Sequence, residues 1–369
     1  MRPFLSLPLA LPDCRAVLAA PARCKGTMRA LQRRARMNHD PQTMIANARR
    51  DIRDYLGADR VKALHRQNRG LDALAFCAVI VLWVLASTVL VTRPVDAVWL
   101  ICLVLQGFVF QLAGLVSHDL FVHRRVGGER WAAWGARLLT LPRLSLPMGY
   151  ESAHLAHHRH LGSSRDTENY KQHLDSRRKR LLFSTLLGIK LVQSGRGDTV
   201  HYHHVDASQP ARARALRLER WLLRGFLLTM LVLTGIFPLA MASAYWLPLL
   251  VVAPLVNTVR IVLEHADADI NSGDAFQAGT FYRTGLLTRV LFLWDSGDCH
   301  LVHHIFPRMP WYHVGACVDE LRPLMAARNP RPRRHLLGLL KGWYLDNHGH
   351  RQPWPSRRFQ SRAGAPRTS

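Results

Sequence analysis

Long apolar runs alternate along this chain with segments crowded with Arg and His, and the runs come in two pairs. Ala73–Thr92 carries no charge, and its length matches the ~20 residues a helix needs to cross a hydrocarbon core of about 30 Å. Arg93-Pro94 interrupts it, and Val95–Val116 follows, charged only at Asp96. A second pair runs from Gly225 to Ser243 and from Tyr245 to Leu263, with Arg260 near its end, placed to snorkel or to face the protein interior. Helices satisfy their own backbone groups inside a membrane. The pattern therefore predicts an all-α integral membrane protein with two transmembrane hairpins, spanning about 73–92, 95–116, 225–243 and 245–263. Buried core helices of a soluble protein are the competing reading, and paired runs of near-spanning length weigh against it.

Charge sharpens this picture. The formal net charge of +25 and a pI near 11.1 suggest, taken alone, a nucleic-acid binder. Its distribution says otherwise. The turn after the first run holds only Arg93 and Asp96, and the turn near Ala244 holds no charge, whereas Ser117–Trp221 carries 18 Lys and Arg. The N-terminal and C-terminal regions are similarly basic. All basic segments then fall on one side, which the positive-inside rule makes cytoplasmic. No nucleic-acid partner is expected; the lipid bilayer is, in the inner membrane if the cell is bacterial.

The six cysteines form no CxxC pair, so neither a zinc ribbon nor a disulfide framework is expected. Residues 1–40 are too weakly patterned for a signal peptide and read as a disordered or mis-assigned extension, with Met37 or Met44 as plausible starts. The core domain is expected over 41–350, and 351–369 reads as a disordered basic tail.

Candidate chemistry lies in the 20 histidines. Three clusters stand out: His118 and His123, five apart; His154, His157 and His158; and His300, His303 and His304. Positions i, i+3 and i+4 share one helix face, so each HxxHH presents three imidazoles together. His118 and His123 would diverge on an ideal helix, so that helix should end or distort near His123. Eight imidazoles exceed the needs of one tetrahedral zinc and suit two metal ions. All three clusters lie just beyond predicted spans on the same side. His201, His203 and His204 match no such pattern and read as a surface or loop feature, and His160 lies two positions beyond the second cluster, outside its HxxHH pattern. Cys299 reads as packing, and Trp294 and Trp311 as packing or interfacial aromatics. Asp119 and Asp298, beside the clusters, are candidates to orient a ligand from behind.

The segments HDLFVH, HLAHHRHLG and HLVHHIFPRMPWYH resemble the three histidine boxes of the membrane fatty acid desaturase superfamily, and the third continues into the family's HHxFPxxPxY ending through Pro307 and Pro310. The resemblance covers roughly Leu71–Met325. It implies a di-iron centre, oxygen activation, and a helical bundle with a cytoplasmic cap. It also implies a ninth ligand near the end of the last span, where this chain has Arg260-Ile-Val-Leu-Glu264-His265. His265 is the candidate, with Glu264 behind it.

On this resemblance the expected function is an O2-dependent desaturase acting on a fatty acyl or acyl-like chain. The same site could run a hydroxylation, or desaturate a small amino-acid-like molecule of the dihydrorhizobitoxine type. Because His300, not Gln, opens the third box, and because no haem-binding domain is evident, electrons are expected from a separate ferredoxin or cytochrome b5-like carrier. A metal transporter or sensor is the main alternative of another class, but its ligands belong near the midplane of the spans. A zinc hydrolase lacks its HExxH helix.

Overall fold

A computed structural model describes residues 41–161, 210–265, 284–329 and 336–344, with 166, 178, 181, 274–277 and 282 between them. The expected extension 1–40, the tail 351–369, and His201, His203 and His204 lie outside the described residues, as does the side chain of His265. Every regular element among the described residues is helical.

Helix α1 (Pro41–Leu56) buries Met44, Ile45, Ala48 and Ile52 along one stripe, the spacing of an amphipathic helix facing a core. The short α2 (Ala58–Leu64) follows. Helix α3 (Arg69–Thr92) opens on Asn68, whose side chain accepts from the Gly70 and Leu71 amides, and α4 (Ala97–Ser117) opens on Asp96, which accepts from Trp99. These caps satisfy amides that a helix start leaves free. Arg93 and Asp96 pair at 2.8 Å across the turn. The two helices form the expected first hairpin and share the most extensive contact between any elements.

Helix α5 (Glu129–Thr140) and α6 (Pro147–His160) follow, then α7 (Pro210–Ile236). The chain breaks at Phe237 and restarts at Pro238 as α8 (Pro238–Met241), which runs through two π-helical stretches, Ala242–Trp246 and Pro248–Val252, into α9 (Ala253–His265). The last elements are α10 (Leu286–Leu291), α11 (Gly297–Ile305), α12 (Trp311–Arg328) and α13 (Leu336–Tyr344).

The second predicted hairpin is thus displaced. Its turn falls at Phe237-Pro238, because proline cannot continue the helix before it, while the expected turn at Ala244 lies inside a continuous helical run. Among the described residues, three stretches are long and apolar enough to cross a membrane: Ala58–Thr92, Ala97–His123 and Pro238–Glu264. The predicted span 225–243 falls on α7, whose apolar part follows Arg224 and ends at Ile236, and α7 does not join those three.

Gln106, fully buried within α4, donates to Ser87 Oγ at 2.9 Å and to the Ala244 carbonyl at 3.2 Å, so one polar side chain ties α4 to both α3 and the Pro238–His265 run. Of three apolar clusters among the described residues, two are large. One joins α3, α4, α5, α9 and α13 through Val79, Val116, Leu139 and Val262. The other joins α1, α2, α11 and α12 through Ile52, Leu64, Ile305 and Leu321. The histidine boxes lie between them.

Candidate metal centre

Helix α4 does not stop at Ser117. It continues as a π-helix over His118–His123, with the Arg124 amide bonded to the Asp119 carbonyl at 3.3 Å. This is the distortion that the five-residue spacing requires: the wider turn pairs i with i+5 and brings His118 and His123 over one another. Their Nε2 atoms are 3.1 Å apart. Behind them Arg124 is clamped between Asp72 of α3, at 2.7 and 3.0 Å, and Asp119, at 2.5 Å. Asp119 is therefore committed to this buried ion cluster instead of to a histidine.

The second and third boxes lie on α6 and α11. Side chains of α1 hold both helix ends, whose last carbonyls lack intrahelical partners. Gln42 Nε2 donates to the His158 and Arg159 carbonyls at 3.3 and 3.0 Å, and Arg49 Nε donates to that of Ile305 at 2.5 Å.

All eight box histidines converge, and they sort into two groups. Donor atoms of His118, His123, His154, His158 and His303 lie within 4.8 Å of one another, and so do those of His157, His300 and His304. Each HxxHH helix serves both groups: α6 gives His154 and His158 to the first and His157 to the second, while α11 gives His303 to the first and His300 and His304 to the second. The groups adjoin, with the His158 and His304 rings 4.6 Å apart between centroids.

The contacts within each group are Nε2 to Nε2: His118–His154 2.8 Å, His154–His158 2.9 Å, His158–His303 3.1 Å, His300–His304 2.9 Å and His157–His304 3.2 Å. A neutral imidazole has a single N–H. His157 is hydrogen-bonded through Nδ1 to Asp166 at 2.6 Å, and His300 through Nδ1 to Asp295 at 2.7 Å, so both present bare lone pairs at Nε2. Lone pairs crowded to about 3 Å fit a cation held between them, since ligands at right angles around an ion with bonds of about 2.1 Å stand at that spacing.

The acids behind the ligands differ in part from the sequence reading. Asp295 reaches both groups: Oδ1 meets His300, and Oδ2 stands 3.5 Å from Nδ1 of His118 and 3.8 Å from Arg260. Glu264 pairs with Arg260 at 2.5 Å and stands 3.8 Å from Nδ1 of His300, beyond hydrogen-bond distance. Asp298 instead holds the Thr284 amide and hydroxyl. Asp166 and Asp295 escaped the sequence reading. Asp295 reaches the site through a turn in which Leu293 and Trp294 both have positive φ, 48° and 52°, and no local motif announces that geometry.

Electrostatics favour neutral, metal-ready rings. Burial pushes His303 down to about 3 and also lowers His300. Burial, with its histidine neighbours, holds His158 well below the usual range. Burial alone would raise the Asp295 carboxyl, but His300 and His303 hold it well below the usual range. Burial pushes the Cys299 thiol up to about 12; its sulfur meets the Thr284 hydroxyl at 3.4 Å and belongs to neither histidine group. His160 belongs to neither group, and Trp294 packs on Trp311 at 5.1 Å between centroids.

A family model described as fatty acid desaturase matches residues 97–335, a range that begins with α4 and contains all three boxes. No curated protein matches the chain. With a desaturase model matching well over half of its length and eight box histidines, seven of them buried, meeting in two adjoining groups, the chain belongs to the fatty acid desaturase family.

Proposed function

We propose that the chain is an O2-dependent, di-iron desaturase that introduces a double bond into an aliphatic chain, with a fatty acyl or acyl-like substrate. The observation that carries this is the division of the eight imidazoles into two adjoining sets, one of five donors and one of three. Imidazole suits iron, and two such sets exceed what a single zinc uses. His265, at the end of α9, is proposed as the fourth donor of the smaller set.

When bound, the two irons supply the oxidant, drawn from O2, that abstracts hydrogen from an unactivated C–H bond. The protein's own part is positional. The π-helix and the two HxxHH helices aim the eight Nε2 lone pairs. Asp166 and Asp295 accept the Nδ1–H of His157 and His300, fixing tautomer and ring orientation. The apolar clusters on either side exclude water. The histidines bind metal and do not exchange protons with substrate.

The same reading places α7 as a fourth span, the boxes on the cytoplasmic face, and a separate ferredoxin or cytochrome b5-like donor against the basic surface. Mass spectrometry of lipids from cells with and without the protein tests the reaction. The expected product is two hydrogens lighter than its precursor, and it disappears in His303→Ala. Full activity of His303→Ala with both irons retained would overturn the assignment.

A further inference from the structure

On an ordinary α-helix, at about 100° per residue, side chains five apart stand about 140° apart. His118 and His123 nevertheless bring their Nε2 atoms to 3.1 Å, because the segment between them is π-helical. Such turns are rare and short, so this register needs something to hold it against the α-helical alternative.

Arg124, directly after the box, supplies the hold. Its amide donates to the Asp119 carbonyl at 3.3 Å, the five-residue bond of a π turn. Its guanidinium donates to Oδ2 of the same Asp119, from Nε at 3.1 Å and from a terminal nitrogen at 2.5 Å. Backbone and side chain of one residue thus return together to the residue five places before it. In an α-helical register the Arg124 amide would turn to the Leu120 carbonyl instead, and the Asp119 side chain would swing away from the guanidinium.

The same guanidinium is tied to segments outside the box. Asp72, in the first turn of α3, accepts from both terminal nitrogens at 2.7 and 3.0 Å. Cζ of Arg124 lies 5.9 Å from the centre of the Tyr312 ring, and the Tyr312 hydroxyl accepts from the Asn68 amide at 2.5 Å. Asn68 caps α3, and Tyr312 follows the third box. The Arg124 and Asp72 side chains are 0 and 3 % exposed, and a buried bidentate pair of this kind fixes geometry as well as charge.

We propose that Arg124 is a positioning residue for the larger histidine set: it staples the π turn to Asp119 and, through Asp72, fixes the stapled turn to the start of α3. The proposal rests on the two-metal reading above. Without the staple the segment relaxes toward an α-helix, and His123 turns away from His118 and from His154, whose Nε2 it meets at 3.0 Å. The smaller set, drawn from α6 and α11, keeps its donors.

Chelator titration of iron from the detergent-purified, full-length protein tests this in the wild type, Arg124→Lys and Asp72→Asn. Lysine keeps the charge but lacks the planar fork that reaches both carboxylates. Each is also made with His304→Ala, which breaks the smaller set, so that the remaining iron reports the larger one. The expected result is a loss of affinity of about 10- to 100-fold at the larger set in Arg124→Lys, a smaller loss in Asp72→Asn, and no change at the smaller set. A role in stability alone would weaken both sets together. Equal weakening of the two sets, or unchanged affinity at the larger one, would therefore overturn the proposal while leaving the two-metal reading standing. If Arg124→Lys does not fold, Asp72→Asn decides by the same comparison. A wild-type protein that does not hold two irons would overturn both.

Discussion

At the scale of single residues, the centre depends on which atom of each imidazole is left bare. Asp295 fixes this for His300 and stands near His118 in the other group, so one carboxylate touches both sets. Asp295→Asn preserves shape but removes the charge, and metal affinity should fall about 10- to 100-fold, read by chelator competition. Unchanged affinity would show that Asp295 does not orient the ligands. The rings' low proton affinity also predicts how the metal-free protein responds to pH. His300 and His303 are neutral when folded, while in the unfolded chain they titrate near 6.5. The unfolded state therefore binds more protons, and stability rises with pH across this window. It is fully present above about 6.5 and is lost as pH falls toward the depressed value of about 3 for His303. Thermal melts in detergent between these limits should show a falling midpoint with acidification. The convergence of the eight imidazoles was legible, because HxxHH and HxxxxH are local patterns. Asp166 and Asp295 were not, because neither belongs to a local pattern: Asp295 depends on a left-handed turn, and Asp166 lies nine residues beyond His157.

At the scale of elements, the five-residue spacing of the first box foretold a distorted helix, and the π-helix is that distortion. The break of the second hairpin was misplaced by hydropathy, which dips at Ser243–Trp246 and draws the break away from the stronger signal of Pro238. Pro248 lies within the same run, where its missing N–H removes an α-helical bond, and a π-helical stretch begins there. Close backbone approach at two glycines gives tests of the packing. Gly297, at the start of α11, has φ of 55°, and a Cβ would meet the Tyr282 carbonyl oxygen at 2.7 Å. Gly297→Ala should cost about 1–2 kcal/mol from backbone strain alone, with the collision added, and should lower iron occupancy. A melt and metal content equal to wild type would refute that role. On α4, a Cβ at Gly107 would overlap Val252, so Gly107→Leu should destabilise by about 1–3 kcal/mol through overpacking, seen as a lower melting temperature.

At the scale of the whole molecule, the proposed cytoplasmic side of the boxes rests on the charge pattern, since basic segments and histidine boxes fall together beyond the apolar runs. Substrate identity did not, because it depends on the shape enclosed by side chains of several helices and not on any local pattern. A separate electron carrier docking on a strongly basic face predicts turnover that slows as ionic strength rises. Carrier-dependent rates insensitive to salt would argue against that surface. The central claim, that two adjoining histidine sets hold two irons, is tested most directly by iron and zinc content per chain of detergent-purified protein, compared with His304→Ala. The account predicts two irons in the wild type and one in the variant, whose smaller set is broken while the set of five is intact. One zinc per chain, unchanged by His304→Ala, would contradict it.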